Sequence, residues 1–131
     1  MKHISILSLV FINILGGCVR SQAQTAAYHK LSAADAYNMM SELSGHIILD
    51  VRTEAEYKDQ RLNGAISIPD YELKERAPRE LPEKNKVIFV YCRSGRRSEN
   101  AARLLASLGY ENVYDFGGIL NWPYDTVRES P

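Results

Sequence analysis

With 131 residues, the chain has room for one domain around one hydrophobic core, and its 45% apolar content is enough to fill it. The 16 basic and 16 acidic residues cancel, so no global field draws the chain to nucleic acid or to an anionic membrane surface. Its 2 cysteines are Cys18, at the end of an apolar leader, and Cys92, in the body of the chain; a disulfide framework is excluded.

Residues 1–23 read as an export signal. Met1-Lys2-His3 is a short basic start, and Ile4 to Leu15 is an apolar stretch too short to span a bilayer as a helix. Two processing sites compete. Leu15-Gly16-Gly17-Cys18 has the form of a bacterial lipobox, cleaved after Gly17 to leave Cys18 as the lipid-bearing first residue. Ser21-Gln22-Ala23 is a small-x-small site, cleaved after Ala23 to release a soluble protein. Arg20 lies where a positive charge is unwelcome for the second route, which favours the lipobox. Either way the chain is expected outside the cytoplasm, in a bacterial periplasm or lipid-anchored to the envelope, with Cys92 its only free thiol. Gln22 to Ala27 is a polar tether, and residues 28–127 are expected to form the domain.

Tyr28 to Leu31 predicts a short edge strand. Ser32 to Leu43 predicts a helix, capped by Ser32 with Asp35 three residues on, its apolar face being Ala36, Met39, Met40 and Leu43. Ile47 to Val51 is a continuous apolar run, as in a strand buried on both faces. Thr53 and Glu56 form a capping box for a short helix ending near Gln60. Ala65 to Ile68 predicts a third strand before Pro69, and Asp70 to Arg76 a helix closed by Pro78. Lys86 to Tyr91 is the most strand-like segment of all. Arg97 to Leu108 is the clearest helix, with Ala101, Leu104, Leu105 and Leu108 on one face and Gly109 as its stop. Asn112 to Asp115 predicts a last strand, Gly117 to Trp122 a glycine turn into one helical turn, and the remainder a polar tail. Strands alternating with helices imply an α/β domain built on a parallel sheet, with ligands bound at the carboxyl ends of the strands. Asp50 and Cys92 both occupy such ends.

Cys92 opens the segment Cys92-Arg93-Ser94-Gly95-Arg96-Arg97-Ser98, between a strand and a helix. A turn of this kind presents backbone N–H groups and positive charge to the sulfur. That environment favours the thiolate, the nucleophilic form. Amides from Ser94 to Ser98 are expected to converge on the sulfur, with Gly95 supplying a backbone conformation that a side chain would obstruct. Arg93, Arg96 and Arg97 are candidates for binding a substrate oxyanion, and at most two of them can point into the cup. Asp50 and Arg52 are expected to brace the pocket by bonding loop backbone and pairing with acidic neighbours such as Glu56. Tyr57, Trp122 and Tyr124 are expected to pack. His29 and His46 lack the neighbours of a metal site, so no metal is expected.

Leu49-Asp50-Val51-Arg52 with Glu56-Tyr57, Asn63-Gly64-Ala65 with Ile68-Pro69, the Cys92 to Ser98 loop, and Gly117-Gly118 with Trp122 follow one another in a fixed order. Together they closely resemble a single-domain rhodanese over roughly residues 28 to 124. The resemblance implies a five-stranded parallel sheet flanked by helices on both faces. It also implies sulfur transfer without a cofactor, from a small donor such as thiosulfate or a persulfide, through a persulfide on Cys92, to a thiol or to cyanide. Arg97 is then the favoured anion ligand, with Arg93 second and Arg96 at the rim. No nucleic-acid partner is expected, membrane contact is expected only through a lipid on Cys18, and a monomer is the default. Many relatives carry Gly-His-Ile where this chain has Gln60-Arg61-Leu62, a departure that bears on local packing.

Two other functions compete with this one. Cysteine phosphatases and arsenate reductases also hold an anion in a cysteine loop, but the phosphatase loop places five residues between Cys and Arg. Here Ser98 stands at that place and Arg97 comes one residue early, which leaves too little room for a phosphoryl group. A silent rhodanese-like binding or sulfide-sensing module is the other, and modules of that kind typically lack the loop cysteine.

Overall fold

The computed structural model describes residues 27–130. The expected export signal, both processing sites and Cys18 lie outside the described residues. Five strands pair in parallel: β1 (His29–Lys30), β2 (Ile47–Asp50), β4 (Ile66–Ser67), β5 (Val87–Cys92) and β6 (Asn112–Gly118), in the order β1-β6-β5-β2-β4. The α/β architecture implied by the alternating strands and helices is thus the one observed. The central strand β5 and its neighbour β2 pair Asp50 with Tyr91. The acidic residue therefore arrives beside the end of the strand that carries Cys92.

Alternation along β5 splits the core in two. Ile88, Val90 and Cys92 face one side, packing with Ala101, Ala102 and Leu105 of α4 (Arg96–Ser107) and with Leu73 and Ala77 of α3 (Leu73–Glu80). Phe89 and Tyr91 face the other, against Ala36, Met39 and Met40 of α1 (Ala33–Glu42) and Tyr57 of α2 (Glu54–Asp59). A period of two residues, carried by a strand with helices on both faces, is enough to send Cys92 and Tyr91 to opposite layers. Both predicted caps form: Ser32 Oγ accepts from the Asp35 amide, and Thr53 and Glu56 make a reciprocal capping box.

Four expectations are corrected. Pro78 lies inside α3 and does not end it: a 3₁₀ turn over Asp70–Glu72 leads into a helix that runs on to Glu80. Proline there removes only one intrahelical donor, and burial of Leu73 and Ala77 keeps the helix together. Leu43, expected on the apolar face of α1, is its C-cap and is exposed. The last strand extends past Asp115 to Gly118, so Gly117 and Gly118 belong to β6 and only Ile119–Asn121 forms the following turn. The tail is not free of structure, because β7 (Thr126–Val127) pairs antiparallel with β3 (Arg61–Leu62). The segment that departs from the Gly-His-Ile pattern is therefore an anchor for the end of the domain.

Candidate active site

The loop from Cys92 to Ser98 is shaped by two glycines. Gly95 has φ 107°, a left-handed conformation that any Cβ would strain, and it is the N-cap of α4. Gly118, on the neighbouring strand, passes so close to the loop that a Cβ would lie 2.0 Å from the Arg93 carbonyl oxygen. The pairing of β5 with β6 slips here: Val90 faces Asp115, but Cys92 faces Gly118. The extra residue in β6 is a bulge, held by the Gly117 amide donating to Asp115 Oδ1 at 3.0 Å. The slip brings Gly118 beneath the loop.

Within the loop, the Gly95 amide donates to Cys92 Sγ at 3.0 Å, and Ser98 Oγ lies 3.5 Å from the same sulfur. Ser98 is fully buried and its hydroxyl also reaches the carbonyls of Gly95, at 3.0 Å, and Gly117, at 3.3 Å. One loop amide is hydrogen-bonded to the sulfur, fewer than the convergence expected of Ser94 to Ser98, and the buried hydroxyl lies on another side of it. Cys92 itself is 1% exposed. The sulfur thus sits at the end of the core layer under α4, with the Gly95 amide directed at it.

Asp50 and Arg52 make a buried pair with each other and not with Glu56, on the Tyr91 side of β5, the layer opposite Cys92. Arg52 Nε and Nη2 donate to the Asp50 carboxylate at 2.6 to 3.1 Å, and its Nη2 also donates to the Gln60 carbonyl. The Arg52 amide adds a bond to Asp50 Oδ1 at 2.9 Å. Tyr91 Oη donates to Asp50 Oδ2 at 2.7 Å and accepts from the Leu62 amide at 3.1 Å. Burial pushes the Tyr91 phenol up, and the Asp50 charge adds to the effect. The phenol therefore stays protonated and serves as a fixed donor.

Glu56 turns instead to Arg97. Arg97 Nη1 and Nη2 donate to Glu56 Oε2 and Oε1 at 2.8 and 2.9 Å, a bidentate pair at the rim of the loop. The Arg97 hydrogen bond, opposed in part by burial, lowers the Glu56 carboxyl to about 2. The sequence marked Glu56 as a capping residue and as a partner for the Asp50 and Arg52 wall, not for Arg97. A capping carboxylate retains lone pairs for a second partner, and only the fold shows that Arg97 is that partner. Arg93 and Arg96 are exposed. A cavity of about 430 Å³ lies on the outer side of the loop, bounded by Ser94, Gly95, Arg96, Lys30 and Glu99. Among the described residues, no group of three or more His, Cys, Asp or Glu forms a metal-holding cluster.

A strand-borne cysteine under a glycine-turned loop, with a buried Asp-x-Arg pair at the adjacent strand end, agrees with the match of residues 32–123 to the Rhodanese-like domain family. The chain belongs to that family. It is 41% identical over 71 residues to the thiosulfate sulfurtransferase PspE of Escherichia coli, covering 54% of this chain and 68% of that one. It is 33% identical over 105 residues to a tRNA uridine(34) hydroxylase of Buchnera aphidicola, covering 76% of this chain but only 33% of that protein. Among solved structures, a rhodanese with anions from E. coli superposes with a TM-score of 0.60 at 36% identity, covering 64% of this chain and 99% of that one. These rhodanese-like relatives therefore include proteins with different activities.

Proposed function

We propose that the protein is a sulfurtransferase that carries a sulfane sulfur on Cys92. The single observation behind this reading is the cup around Sγ, with the Gly95 amide at 3.0 Å and the buried Ser98 hydroxyl at 3.5 Å. An amide dipole aimed at sulfur stabilises a thiolate and, after reaction, a persulfide anion. The Ser98 hydroxyl can rotate from its carbonyl partners to donate to either. The likeness to PspE supports thiosulfate as a donor.

The chemistry takes two displacements. The Cys92 thiolate attacks the outer sulfur of thiosulfate, the sulfur–sulfur bond of the donor breaks, and sulfite departs with the electron pair. Cys92 is left as a persulfide anion. An acceptor thiolate, or cyanide in an assay, then attacks the terminal sulfur, and the Cys92 thiolate is released. Arg93 and Arg96 meet the negative charge of the donor, and Arg97 stands beside them already paired. Ser94, Gly95 and Ser98 shape the cup, and the Asp50 and Arg52 pair, in the opposite layer, exchanges no protons.

Phosphoryl chemistry is disfavoured by the same geometry, since a cup that leaves Cys92 only 1% exposed suits the approach of one narrow atom better than a tetrahedral group. Steady-state turnover of thiosulfate with cyanide, set against hydrolysis of an aryl phosphate, separates the two. Thiosulfate turnover with ping-pong kinetics is expected, and Cys92→Ser should abolish it with the fold intact. Transfer retained in that variant, or aryl phosphate hydrolysis alone, would contradict the proposal. Export through residues 1–23 with lipid on Cys18, and a monomeric domain, complete the proposed account. The intact mass of the exported chain distinguishes cleavage after Gly17 from cleavage after Ala23.

A further inference from the structure

We infer that Glu56 is a specificity-determining residue: by holding Arg97 in a bidentate pair at the rim of the cup, it withholds that guanidinium from the donor anion and leaves recognition to Arg93 and Arg96. The inference rests on the sulfur-transfer reading above and adds a residue that acts through Arg97.

The geometry of the pair carries it. Both terminal nitrogens of Arg97 are engaged, at 2.8 and 2.9 Å, so the fork that would grip an oxyanion is filled by a carboxylate of the protein. Glu56 is itself fixed. Its Oε2 accepts from the Thr53 amide and from Thr53 Oγ1, both at 3.0 Å, and the Glu56 amide returns a bond to Thr53 Oγ1 at 3.2 Å. Its orientation is therefore set by the N-terminus of α2, whether or not Arg97 is present. The Arg97 and Glu56 side chains remain 30% and 28% exposed, so a small anion from solvent can reach the pair. The charged or titratable groups facing Arg97 are Glu56 from α2, Asp70 beyond the end of β4, and Cys92 from β5. Two carboxylates thus offset one guanidinium close to the nucleophile. Arg93 and Arg96 have no ion-pair partner among the described residues and are exposed beside the loop.

A bound dianion at such a site feels a reduced positive field, which weakens ground-state binding and speeds release of sulfite. Donors of lower charge lose less. The protein is therefore set to admit less charged sulfane donors alongside thiosulfate.

Glu56→Gln tests this, because glutamine at the third helical position can keep the capping box while removing the charge. Calorimetric titration of thiosulfate into Cys92→Ser and into the Cys92→Ser/Glu56→Gln double variant measures binding with no chemistry involved. Thiosulfate should bind roughly threefold to tenfold tighter once Arg97 is released. A singly charged alkyl thiosulfonate should gain less, and adding Arg97→Gln should remove the gain. Unchanged or weaker thiosulfate binding in the Glu56→Gln background would overturn the inference, as would an equal gain for both donors. Failure of the wild-type protein to turn over thiosulfate would count against the proposed function, whereas the binding comparison judges Glu56 by itself.

Discussion

At the scale of single residues, the strand ends beside the site are joined by one buried ion pair and one phenol. Asp50 is fully buried and Arg52 is 4% exposed, so neither charge is solvated enough to survive alone. A buried pair adds little net stability, yet removing one partner strands the other. Asp50→Ala is therefore expected to lower the unfolding free energy by about 3–5 kcal/mol, measured by denaturant titration. Tyr91→Phe takes one donor from Asp50 and leaves the Leu62 amide without its acceptor. A loss of about 1–3 kcal/mol is expected, with the transfer rate falling less than the stability, since the phenol lies in the layer opposite Cys92 and does not touch the sulfur. These partners were only partly legible in the sequence. Asp50 and Arg52 were visible as a motif, but the phenol that completes them sits 41 positions away, and only the register of β2 against β5 joins the two.

At the scale of elements, the meeting of β5, β6 and α4 makes the loop. Strand β5 was legible as an unbroken apolar run of strand length, and helix α4 because its apolar residues repeat near every four. The bulge in β6 was not, because a one-residue slip leaves no mark on composition. Asp115 read as an end to the strand, whereas its carboxylate holds the Gly117 amide and lets β6 continue to Gly118. Gly118→Ala is expected to force the Arg93 carbonyl away from its 2.0 Å clash, destabilising the domain by about 1–3 kcal/mol. The loop should move with it, so the transfer rate should fall further than the thermal midpoint alone would account for. Equal rates in the two proteins would show that the close passage of β6 has no part in shaping the cup. Gln60-Arg61-Leu62 gave no sign of pairing with Thr126–Val127, because two-residue strands carry no periodicity to read.

At the scale of the whole molecule, the absence of net charge means that local pairs set the response to pH. Glu56 is held at about 2, below its ordinary 4.5, chiefly by the Arg97 hydrogen bond and against the opposing cost of burial. A depressed folded-state value contributes stability above 4.5 that is lost as the pH falls toward 2. Thermal midpoints should accordingly drop across that window more steeply in the wild type than in Glu56→Gln; parallel curves would mean the pair does not couple folding to protonation. The same pair ties α2 to the first turn of α4, so the protonation that weakens the fold also frees the guanidinium beside Cys92.

The account depends most on sulfur arriving at Cys92 itself. Intact and peptide mass measured after brief exposure of the mature domain to thiosulfate, followed by addition of cyanide, tests that directly. The account predicts one added sulfur atom, confined to the peptide containing Cys92, and its complete removal as thiocyanate. An unmodified Cys92 under conditions where thiocyanate still forms, or an added sulfur that cyanide does not remove, would contradict it.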